Sequence, residues 1–174
     1  MLWLCVLLFF MFFAGVAMTI GEGLWTNAIN LFAVMLAGLS GLAFGYPLGD
    51  WAITEFEKDA SFLWYFHFAG FWLVFFVTVM VFRVVAERAS KVRMRFIPQL
   101  EAIVGPLAGL FVAVMFTSVF AWTLLKIPIK EGEWKIAEAS DWQKSTFTYL
   151  STPFNSLGKA VLGDEDVAHG AVKR

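Results

Sequence analysis

Charge is the scarcest commodity in this chain. Asp, Glu, Lys and Arg make up 16% of its 174 residues and the formal net charge is −1, whereas an ordinary soluble domain is about 25% charged. With 60% hydrophobic residues to cover, that is too little charge for the polar skin of a soluble domain. The charges are also gathered into blocks between long apolar runs, so the blocks read as loops and a tail. Cysteine is nearly absent: Cys5 stands alone inside an apolar run, which excludes an intramolecular disulfide and a cysteine metal site. Histidine is limited to His67 and His169, and neither has partner ligands at metal-site spacing. There is no nucleophile with a base at motif spacing, no Gly-rich phosphate loop, no HExxH and no CxxC. The sequence therefore predicts no enzyme, no metal and no cofactor.

What is present is oil in long pieces. Four runs approach or exceed the roughly 20 apolar residues needed to cross the hydrocarbon core as a helix: 2–20, 24–48, 62–85 and 102–125. They are continuous rather than alternating, which argues against a membrane β-barrel. The expected fold is all-α: a polytopic membrane domain of four transmembrane helices over 1–125, followed by a polar tail over 126–174. The first run begins at once with Leu2 and Trp3 and lacks a positive leader, so it reads as a span and not as a cleaved signal peptide. Within the tail, Phe147, Leu150, Phe154, Leu157, Val161 and Leu162 recur at three- or four-residue spacing. This predicts an amphipathic segment over 147–162, interrupted by Pro153 and able to lie on the outer face of the membrane.

Orientation follows from where the bases sit. Arg83, Arg88, Lys91, Arg93 and Arg95 cluster after the third run against Glu87, whereas 49–61 holds Asp50, Glu55, Glu57 and Asp59 against Lys58. Excess Lys and Arg mark cytoplasmic loops. Loop 86–101 is thus expected in the cytoplasm with the turn Gly21–Gly23, and both termini and the acidic loop outside. Arg83, at the end of its span, can snorkel to the headgroups, and the cluster can contact anionic lipid. Thirteen residues between two spans do not make a nucleic-acid-binding domain.

Small residues supply candidate packing faces. Ala33, Ala37, Gly41 and Gly45 form one row in the second run; Gly105, Gly109 and Ala113, extended by Thr117, form another in the fourth. Such rows let helix backbones approach in lipid, and the two are expected to face each other, within one chain or between copies. Pro106 reads as first-turn proline of the fourth span, where its missing N–H is harmless. Among polar groups, Asn27, Asn30 and Glu101 fall near the cytoplasmic ends of their helices and form a candidate polar vestibule. His67, five residues into the third run, suits an interfacial aromatic belt with Trp64, Tyr65 and Phe68.

Three stretches carry a resemblance. EGLWTNAINLF from Glu22, EAIVGPLAG from Glu101 and DWQKS from Asp141 are similar to segments of the colicin V production family. Gly23, Glu101, Gly105 and Gly109 match its motif positions, while Glu22, Thr26 and Asn27 stand where Arg, Arg and Glu are usual. Ala102 replaces a frequent Arg, and Val112 with Ala113 a frequent Arg-Gly. The resemblance implies a bacterial inner-membrane protein with four spans, linked to toxin production or export and to envelope maintenance. The expected role is a non-enzymatic accessory or scaffold protein that contacts lipid and a second copy or a membrane partner. The alternative is an oligomeric channel or transporter subunit.

Overall fold

The computed structural model describes residues 2–56, 63–89, 98–127 and 140–163. Five helices occupy them: α1 Leu2–Thr19, α2 Leu24–Phe56, α3 Leu63–Ala89, α4 Pro98–Lys126 and α5 Asp141–Leu162. No strand occurs among the described residues. Lys91, Arg93 and Arg95 of the basic cluster, Glu57, Lys58 and Asp59 of the acidic loop, and His169 lie outside them.

Three helices, α2, α3 and α4, are long and apolar enough to cross a membrane, where four were expected. The reason is length. The 18 residues of α1 give about 27 Å at 1.5 Å per residue, just under the roughly 30 Å hydrocarbon core. Its composition is as apolar as that of the others.

Several boundaries differ from the sequence reading. Helix α2 continues eight residues beyond 48 and contains Pro47, an exposed residue. Asp50 and Glu55 therefore stand on a helix and not in a loop. At the other end, α3 runs to Ala89 and α4 begins at Pro98, so the expected loop 86–101 is helical at both margins. It is Pro98 that opens α4; Pro106 lies inside the helix, where it leaves one carbonyl of the preceding turn without its ladder donor.

Helix α5 starts at Asp141, six residues before the expected segment, and passes through Pro153 unbroken. Gln143 closes its first turn by accepting the Ser140 N–H at 3.2 Å. Gln143, Phe147, Ser151, Phe154 and Gly158 form its buried stripe.

The helices pair out of chain order: α2 packs along α3, α1 along α4, α2 against α4, and α5 across α4. One core gathers Ala37, Phe71, Phe75, Val119, Trp122 and Phe154 at the α2–α3–α4–α5 junction. A second joins Leu4, Leu8, Ala121, Leu124 and Phe147 from α1, α4 and α5. The outward faces are apolar too, with Phe76, Met80, Phe9 and Phe10 exposed by 59 to 70%. A surface of this kind suits lipid as its solvent and far exceeds the patches soluble monomers expose. The protein is an all-helical membrane protein.

Candidate functional site

The α1–α2 turn and the first half of α4 meet in a buried polar joint. Its centre is Asn27, one turn into α2 and fully buried. The Asn27 Nδ2 group donates to Thr19 O at 2.9 Å, Gly105 O at 3.0 Å and Glu22 O at 3.2 Å. One side chain thus ties the end of α1, the turn and α4 together. The Thr19 hydroxyl donates between Gly15 O of its own helix, at 2.8 Å, and Gly109 O of α4, at 2.9 Å. Inside a bilayer such bonds stand in for water that is not there.

Glycine makes the joint possible. A Cβ on Gly109 would lie 2.9 Å from Thr19 O and 3.0 Å from Thr19 C. A Cβ on Gly23 would lie 2.7 Å from Glu101 Oε1, so the Glu101 side chain is folded against the turn. Gly23, Glu101, Gly105 and Gly109 are therefore gathered in one place, although 78 residues separate Asn27 from Gly105.

The glycines of the two small-residue rows do not face each other. The α4 row meets α1 and the turn: Gly105 approaches Glu22 O, Gly109 approaches Thr19, and Ala113 approaches Gly15. On α2, Gly41 and Gly45 take the ring and backbone of Phe71 in α3, and Gly49 takes His67. Gly70 of α3 completes that contact, with a Cβ built there 2.6 Å from Gly45 O. Ala33 and Ala37 are buried. The reason for the divergence is that small-residue spacing marks a face and leaves its partner open. Sequence reading passed over Gly49 and Gly70. The four-residue step from Gly45 to Gly49 was the available signal; Gly70 had none.

The vestibule candidates separate as well. Asn27 is sealed in the joint and Glu101 leans on Gly23, whereas Asn30 opens on a cleft of about 940 Å³ bounded by α1, α2, α3 and α4. Arg83 and Glu22 stand at the same cleft with Trp25 and Thr26. Sequence reading gave Arg83 only a topology and headgroup role. Arg88 is exposed on the last turn of α3.

At the opposite end, His67 Nε2 lies 3.0 Å from Asp50 Oδ1, and its ring is 5.2 Å from that of Tyr46. This latch joins the α2 extension to the start of α3. Phe154 anchors α5: its ring meets Trp122 edge-on at 5.5 Å and fills the space over Gly38. Its N–H donates to Ser118 Oγ at 2.9 Å. No group of three or more potential metal ligands occurs among the described residues.

No curated protein and no solved structure matches the chain. The family model described as Colicin V production protein matches residues 3–153, a range that takes in the turn, the buried joint and the first half of α5. With most of its length inside that match, the chain belongs to the colicin V production protein family.

Proposed function

We propose that this protein is a non-enzymatic accessory or scaffold protein of the bacterial inner membrane. In this reading α1 is a fourth span, running antiparallel along α4 from Gly15 against Ala113 to Leu4 and Leu8 against Leu124. Loop 86–101 faces the cytoplasm and both termini face outward. The contact of Gly23 with Glu101 supports that arrangement, because it puts the turn and the start of α4 at one end, as four alternating spans require.

The observation that carries the scaffold reading is how the bundle uses its polar side chains. Asn27, Thr19 and Ser118 each bond across to another helix, so the groups best placed to line a path hold helices together instead. The family's name supports a connection with colicin V production, and the outward apolar faces offer room for a second copy or another membrane protein. The cleft beside Asn30 and Arg83 favours a second reading, a small transporter or channel subunit.

Flux measurements in proteoliposomes separate the two. The expected result is no passage of small cations, anions or peptides above protein-free vesicles. Flux that Asn30→Leu or Arg83→Gln abolishes overturns the scaffold reading.

A further inference from the structure

The cleft between the four helices has its charged and amide side chains toward one end of the helix axes and an apolar lining farther along them. Glu22, Thr26, Asn30 and Arg83 line it near the helix ends at the turn; Met11, Val34, Val79 and Phe116 line it deeper. Val34 is ten residues into α2 and Met11 eight residues back from Thr19, or about 15 and 12 Å along their axes. That depth is half of the roughly 30 Å hydrocarbon core, the thickness of one leaflet. The space exists because the lining includes Ala14, Gly15, Ala33 and Ala113, where larger side chains would have closed it. Its 940 Å³ falls at the upper end of ligand pockets, roughly 300–1,000 Å³.

We propose that this cleft binds one glycerophospholipid from the leaflet at the turn end, a zwitterionic lipid with an amine headgroup. An acyl chain fills the apolar depth, where emptiness would forfeit dispersion contacts and water would find few partners. At the mouth stands Arg83, exposed and already in one contact within the protein, whose planar five-donor fork can take a phosphate besides; exposed Glu22 lines the same opening. A base and an acid at one mouth match a phosphate and an ammonium on one headgroup. An anionic lipid without the amine would satisfy Arg83 and be repelled by Glu22. Trp25 adds an indole at headgroup level, where tryptophan is at home. This goes beyond the scaffold reading and stands whether or not that reading does, because lipid occupancy is measured apart from flux.

The test is native mass spectrometry of the full chain taken from vesicles of equal phosphatidylethanolamine and phosphatidylglycerol content. One phosphatidylethanolamine retained per chain is expected. Arg83→Gln, at an exposed position, should cut retention about tenfold, Glu22→Gln should shift it toward phosphatidylglycerol, and Ala14→Phe should remove lipid of either kind. Equal retention of the two lipids by the wild type overturns the headgroup assignment. Absence of retained lipid, or retention untouched by Arg83→Gln and Ala14→Phe, overturns the site. So does a photoreactive residue at Met18 that cross-links to a second protein chain in place of lipid.

Discussion

A carboxamide held by three carbonyls has few substitutes. Asn27→Ala removes the donor to Thr19, Glu22 and Gly105 and should cost about 1–2 kcal/mol, the scale of interhelical hydrogen bonds in membranes. Reversible unfolding in mixed micelles reads this directly. Two neighbouring glycines make a sharper comparison. A Cβ on Gly105 would sit 3.5 Å from Glu22 O, an ordinary contact, whereas one on Gly109 meets the Thr19 backbone at 2.9 Å. Gly105→Ala should therefore stay within about 0.5 kcal/mol of wild type, and Gly109→Ala should lose about 1–3 kcal/mol by overpacking. Both glycines looked alike in the sequence, because spacing records which face a residue is on and says nothing of how close the facing backbone comes. Asn27 was visible there as a polar oddity near a helix start; its three acceptors were not, since Gly105 lies far along the chain.

Among the elements, α2, α3 and α4 were legible as spans because uninterrupted apolar length is itself the physical requirement. Their ends were less so. The apolar run gives out at 48, yet α2 continues to Phe56, and the Asp50 carboxylate on its extension engages His67 of α3. The tail helix was legible as an amphipathic stripe, and the outer membrane surface was its expected contact. The structure packs that stripe on α4, α2 and α1 instead, with Phe154 inserted between Trp122 and Gly38. Phe154→Ala should destabilise the bundle by about 3 kcal/mol, as deletion of a buried aromatic does. Hydrogen exchange should show the loss of protection concentrated in α5, with α2 and α3 little changed.

For the molecule as a whole, topology is open to labelling. In a Cys5→Ser background, a cysteine replacing Arg88 should react with impermeant maleimide only from the cytoplasmic side, and one replacing Glu55 only from outside. Equal access from one side would remove the four-span orientation. Assembly can be judged from the glycine rows: Gly41 and Gly109 are buried inside one chain against Phe71 and Thr19. Gly41→Leu and Gly109→Leu should accordingly give misfolded, aggregating protein on size exclusion with light scattering, and not a folded protein of smaller mass. Any self-association would then use the outward apolar face that Phe76 and Met80 present.

The pairing of α1 with α4 also sets a timetable for synthesis. Chains are made from the N-terminus, so Thr19 and Asn27 enter the membrane long before Gly105 and Gly109 exist to receive them. Until α4 emerges, the nascent α1–α2 hairpin has only local acceptors for the Asn27 amide and the Thr19 hydroxyl, on Thr19 O, Glu22 O and Gly15 O. A ribosome stalled before residue 105 would release a fragment with its sealing contact missing. Completion of α4 supplies that contact through Gly105 O and Gly109 O.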